Sequence, residues 1–292
     1  MDESHSSPFH RSHHQNEAMQ NQSNIMNGYL TRPLLQQPFA ARRYCSVETA
    51  LNGPFVAAAL VAALILAAGC QSTRQNSTSN EAMYPPARTK ESQAAMSPQA
   101  ALAELRAGNA RFVAGQLQVR DFPAKVRATA SGQYPFAVIL SCLDSRQPIE
   151  IVFDQGIGDV FSARVAGNVL NDDILGSMEF ACKASGAKLI AVVGHSHCGA
   201  IKGAVDGVQL GSLTGLLAKI KPAIAQVPAT SQQPSSKNDE FVQNVAEANV
   251  RLVRQQIRER SPVLREMIDQ GKIALAGGMY DLSTGKVRFF PN

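Results

Sequence analysis

Two short stretches of this chain carry the residue types that bind metals and activate water: "SCLDSR" at 141–146 and "GHSHCG" at 194–199. The chain has six histidines, and four of them (His5, His10, His13 and His14) fall in its first fourteen residues. The remaining two, His195 and His197, share one turn with Cys198. Each stretch closes an apolar run, "YPFAVIL" before Cys142 and "AKLIAVVG" before His195. Such runs read as strands buried on both faces. In an open parallel sheet, ligands gather beyond the carboxyl ends of the strands. Neighbouring strands would bring Cys142 to face His195 and Cys198. Two thiolates and an imidazole suit Zn²⁺, and three protein ligands with a fourth position open is the catalytic pattern rather than the structural one. Taken one at a time, the residues have plainer uses. Cys142 would serve as a small core side chain, Asp144–Arg146 as a turn ion pair and His195 as a cap.

The elements that must position these residues follow from local pattern. Ser97-Pro98 is a cap pair opening a helix. Ala101, Leu102 and Leu105 lie at helical spacing, Gly108 is expected to end the helix, and a second short helix is expected over 111–115. "DVFSARVAGN" reads as a strand ending in a glycine turn, and "ILGSMEFACKASG" as a helix stopped by Gly186. A helix-rich segment is expected from about Leu213 to Gln270, broken by a polar loop at 231–238, with Ser261-Pro262 as another cap pair and Gly271 as a stop. "KIALAGGMYDLSTGKVRFF" reads as strand, turn and strand. The alternation predicts an α/β fold: a mostly parallel sheet flanked by helices, with an N-terminal helical arm and a C-terminal strand pair.

Five ordered blocks resemble the β-class carbonic anhydrases: "ALAELRAGNARFVAG", "GQYPFAVILSCLDSR", "DQGIGDVFSARVAGN", "GSMEFACKASGAKLIAVVGHSHCGA" and "YDLSTGKV". The resemblance covers residues 97–292. It implies reversible hydration of CO₂ to bicarbonate and a proton by zinc-bound hydroxide, with one Zn²⁺ per subunit on Cys142, His195 and Cys198. It further implies that Asp144 and Arg146 form the catalytic dyad, and that Gln133, Phe161 and Phe180 contact substrate from a second subunit. A homodimer or a higher even oligomer follows from that. Gln133 is present and the chain has no Trp, which points to the branch whose site stays open, with water as the fourth ligand. Hydrolysis of COS or CS₂ on the same scaffold and an inactive zinc-binding protein are the alternatives. His197 lies outside the ligand pattern and reads as a loop residue or a proton carrier; Cys182 reads as core packing.

The 45% hydrophobic and 17% charged content is that of a globular chain. A net charge of +5 without a Lys/Arg run interleaved with aromatics gives no footprint for nucleic acid. Cys45, Cys70, Cys142, Cys182 and Cys198 are too sparse for a disulfide framework. Residues 1–50 are polar and aperiodic, and "GPFVAAALVAALILAAGC" then supplies the apolar core of a signal peptide. Ala67-Ala68-Gly69-Cys70 resembles a bacterial lipobox, with Ala67 where leucine is usual, so Cys70 is the expected lipidation site. Export to the periplasm is expected, with a lipid anchor or the N-terminal segment as the sole membrane attachment and the outer membrane as its seat. The domain plan is a leader over 1–70, a flexible tether over 71–96 and the catalytic domain over 97–292.

Overall fold

The computed structural model describes residues 84–228 and 234–291. The leader, the lipobox with Cys70 and the first part of the expected tether lie outside the described residues. Four strands, β1 (Ala137–Ser141), β2 (Val160–Arg164), β3 (Leu189–His195) and β4 (Ala274–Tyr280), pair in parallel, and β5 (Val287–Phe289) runs antiparallel to β4. The spatial order is β2-β1-β3-β4-β5. Every residue of β1 and β3 is buried, as the continuous apolar runs predict.

Successive side chains of a strand point to opposite faces, so the sheet divides its core in two. Val138, Leu140, Ile190 and Val192 join the larger cluster, which holds the buried face of the long helix α9 (Asp239–Arg260). Ala137, Ile139, Leu189 and Ala191 join the smaller one, beneath α2 (Pro98–Val113) and α4 (Ile149–Val152). The caps act as expected. Ser97 Oγ accepts from Ala100 N at 3.1 Å, and Ser261 Oγ accepts from Leu264 N at 3.1 Å to open α10 (Pro262–Asp269). Between β2 and β3 lies α5 (Asp172–Glu179), whose last turn widens over Phe180–Ala184 before Gly186 turns the chain with φ +82°. The helical stretch before α9 comprises α6 (Gly199–Val205), α7 (Gly211–Ala218) and α8 (Lys221–Ala225).

Two expectations fail, each for a packing reason. The segment read as a tether up to residue 96 is helical over α1 (Lys90–Ala95), closed by a capping box between Thr89 and Ser92. Its Gln93 is buried and donates to the carbonyls of Pro135 at 2.7 Å and Ser185 at 2.8 Å. Nor does Gly108 end α2: the helix runs unbroken to Val113 and absorbs the short helix expected after Arg111. A β-carbon at 108 would collide with the Phe153 carbonyl. The glycine therefore marks a close helix approach and not a stop. Helix α3 (Phe122–Thr129) follows, capped by Asp121.

That close approach makes Gly108→Ala a sensitive probe. The added methyl meets backbone, which cannot swing aside, so a loss of about 1–3 kcal/mol is expected. Urea or guanidinium unfolding of the two proteins measures it. An unchanged midpoint would mean that α2 does not lie against α4 as described.

Candidate metal centre

The pairing of β1 with β3 builds the site. Ser141 is level with Val193, so Cys142, the first residue past β1, stands beside the last residues of β3, Gly194 and His195. The chain then turns through His197, whose φ is +53°, and Cys198 becomes the residue preceding α6. Cys142, His195 and Cys198 are all buried, and their ligand atoms lie within 4.8 Å of one another. The two sulfurs are 3.9 Å apart. Two thiolates on tetrahedral Zn²⁺ at about 2.3 Å stand about 3.8 Å apart, so the spacing matches the ion.

The imidazole is oriented for ligation. Nδ1 of His195 pairs with the Ser196 carbonyl at 2.9 Å, which gives that nitrogen the proton. Nε2 is buried and has no hydrogen-bond partner among the described residues. A buried ring nitrogen without a hydrogen-bond partner, grouped with two sulfurs, fits a cation. The thiols make the same demand. Hydrogen bonding from Cys198 draws the Cys142 thiol down to about 4, whereas that contact and burial push Cys198 upward. Two thiolates at this distance repel, and a cation allows both to ionise.

Beside the ligands, Asp144 is held by Arg146. Oδ1 accepts from Arg146 N at 3.0 Å and Nε at 2.9 Å, and Oδ2 accepts from Nη2 at 2.8 Å. These bonds hold the carboxyl well below the usual range, so Asp144 is a carboxylate at neutral pH. Its Oδ2 lies 3.9 Å from His195 Nε2. The arrangement is a buried three-ligand metal group with an ionised, aimed acceptor at its mouth.

The comparisons agree with this geometry. A family model described as carbonic anhydrase matches residues 137–287. The chain belongs to the β-class carbonic anhydrases. Carbonic anhydrase 2 of Mycobacterium tuberculosis H37Rv is 37% identical over 195 residues, which is 65% of this chain and 91% of the relative. The carbonic anhydrase of Mycolicibacterium smegmatis is 36% identical, over 65% of this chain and 92% of its own. Among solved structures, the β-carbonic anhydrase CafA of Aspergillus fumigatus is similar with a TM-score of 0.52 and 29% identity, covering 66% of this chain and 89% of that one. A tetrameric β-carbonic anhydrase of Sordaria macrospora gives 0.51 and 25%, covering 58% and 87%. This carbonic anhydrase is thus a carbonate dehydratase, with a Cys-His-Cys group able to hold a metal.

The remaining expected residues stand elsewhere in the chain. Gln133 is exposed ahead of β1, at the opposite end of the sheet from the ligands; the five residues of β1 alone span about 17 Å. Phe161 on β2 and Phe180 meet edge to face at 6.3 Å and line a cavity with Val138 and Ile174. Phe161 is level with Val138, four residues before Cys142, and Phe180 is 57% exposed. One chain of this carbonic anhydrase does not bring these three side chains to its own metal group. His197 points to Asp239 at 3.3 Å, which also pairs with Lys202 at 3.2 Å. Cys182 is buried, and burial raises its thiol to about 12.

Two positioning groups escaped the sequence reading. Arg164 closes β2 and donates to the carbonyls of Cys142 at 3.1 Å and Asp144 at 2.6 Å. Gly167, with φ +66°, directs its N–H to Cys142 Sγ at 3.3 Å. An arginine at a strand end was the signal for the first, but a backbone N–H leaves none.

The sulfur spacing yields a prediction. With metal stripped by a chelator, diamide is expected to oxidise Cys142 and Cys198 to a disulfide, after which Zn²⁺ rebinds only once a reductant is added. The metal-loaded protein keeps both thiols. Thiol titration and peptide mapping follow the change. Full metal rebinding by oxidant-treated protein without reductant would contradict it.

Proposed function

We propose that this carbonic anhydrase hydrates CO₂ reversibly to bicarbonate and a proton, using one Zn²⁺ per subunit held by Cys142, His195 and Cys198. The observation that carries the reading is the unpartnered Nε2 of His195, buried beside two sulfurs at zinc-thiolate spacing and next to the Asp144–Arg146 pair. Zn²⁺ bound there supplies a Lewis acid that brings the pKa of a water molecule down to about 7 in favourable sites, somewhat higher with two anionic sulfurs as ligands.

The chain's own residues do the rest. Asp144 accepts a hydrogen bond from the nucleophilic water and so turns the oxygen's lone pair toward carbon. Ionised and without a proton of its own, it acts only as an acceptor. Arg146 engages both carboxylate oxygens, which would keep Asp144 from turning onto a bound metal and so leave room for solvent beside the ligands. This supports the open-site branch.

The reading includes an even oligomer in which Gln133, Phe161 and Phe180 of one subunit line the neighbouring subunit's site. It is supported by the exposure of Gln133 and Phe180 and by their distance from their own metal group. There Gln133 would donate to a substrate oxygen, and the two rings would supply an apolar wall for CO₂. The signal-peptide-like run and Cys70 support an exported, periplasmic enzyme tethered by lipid to the outer membrane.

Stopped-flow CO₂ hydration by the zinc-loaded protein, with Cys142→Ser as the blank, tests the reading. Asp144→Asn is expected to lower kcat/KM by about 10²-fold or more while zinc content stays the same, since the amide presents the wrong hydrogen-bonding face. Activity is expected to rise smoothly with pH; a collapse below about pH 8 would overturn the open-site assignment. Stoichiometric zinc without hydration would overturn the function.

A further inference from the structure

Helix α9 presents an apolar stripe to the larger core, including Val245, Val250 and Val253. Asn249 interrupts it. Its side chain is 1% exposed, its Nδ2 donates to the Gly167 carbonyl at 2.8 Å, and its Oδ1 has no partner. A half-satisfied amide in a core is costly, and a leucine in the same stripe would avoid that cost.

The carbonyl that Asn249 grips belongs to a demanding turn. Gly167 and Asn168 take φ of +66° and +43° in succession. A β-carbon at 167 would stand 2.9 Å from Ile220 Cδ1 and 3.2 Å from Ala200 Cβ, so a side chain there would push both aside and be strained by the positive φ as well. On the other side of the same α-carbon, the Gly167 N–H donates to Cys142 Sγ at 3.3 Å. The turn is thus tied at both ends, by the sulfur at its N–H and by Asn249 at its carbonyl.

We propose that Asn249 is a positioning residue for the thiolate ligand: it holds the Gly167 turn so that its N–H stays on Cys142 Sγ. The inference rests on Cys142 being a metal ligand. An N–H on a thiolate withdraws charge from the sulfur, which leaves the metal more acidic, and it fixes the direction of the lone pairs. Outer partners of this kind typically govern metal affinity by about 10–100-fold.

The test uses Co²⁺ as the probe in the full chain. In Asn249→Leu the thiolate-to-cobalt charge-transfer band is expected to move to longer wavelength, and competition with a chromophoric chelator to show affinity reduced about tenfold or more. Val245→Ala, which loosens the same helix one turn before Asn249 and leaves the Asn249–Gly167 bond in place, should lower the thermal midpoint without moving the band. If the leucine variant does not fold, Asn249→Ala withdraws the donor at smaller bulk and gives the same readout. A band and affinity matching the parent in the Asn249 variant would overturn the inference, as would an equal band shift in Val245→Ala. A parent protein that takes up no Co²⁺ with a thiolate band would instead overturn the metal site itself, and this inference with it.

Discussion

Two sulfur atoms held 3.9 Å apart beneath the surface, with an imidazole nitrogen within 4.8 Å of both, form an arrangement in which a cation allows both thiols to ionise. Much of the fold serves to hold it. The β1–β3 pairing sets Cys142 beside His195, and the turn at 196–198 returns the chain so that Cys198 faces the same space. Because the two cysteines follow adjacent strands, their separation depends on the β1–β3 pairing together with the turn at 196–198. This suits a metal that stays in place while substrate and product exchange.

Around that group the chain spends its polar atoms on backbone. Arg164 and the Gln147 N–H both donate to the Asp144 carbonyl, and Arg164 also takes the Cys142 carbonyl. Gly167 reaches the sulfur itself, with Asn249 behind it. The loop after β1 is therefore held by its main chain, and the Asp144 carboxylate is left to be aimed by Arg146 alone. Catalytic side chains on a rigid main chain cost little to reorganise during reaction, which is how a small site reaches useful rates.

The single chain carries the metal group and the aiming pair at one end of its sheet. The residues expected to touch CO₂ stand elsewhere: Gln133 is exposed ahead of β1, and Phe180 is exposed at the far end of α5. A substrate this small and apolar needs a wall more than a set of hydrogen bonds, and on the proposed reading a subunit boundary would supply it. Assembly and activity would then be the same requirement.

Local pattern and composition made the strands, the caps at Ser97 and Ser261, the closing strand pair and the ligand triad readable before any coordinates. These features depend on neighbours in sequence or on residue types too specific to occur by chance at strand ends. Gly108 was misread because a glycine that permits close packing looks the same as one that ends a helix. Gln93 was missed because its partners, the carbonyls of Pro135 and Ser185, lie far along the chain. The sequence by itself determined the sheet and which residues could hold a metal, through hydrophobic period and donor chemistry. Only the tertiary structure decided how they are held: the N–H of Gly167, the reach of Arg164 and Asn249 and the aim of His195 Nε2 depend on backbone directions and on contacts between distant segments, which side-chain identity does not encode.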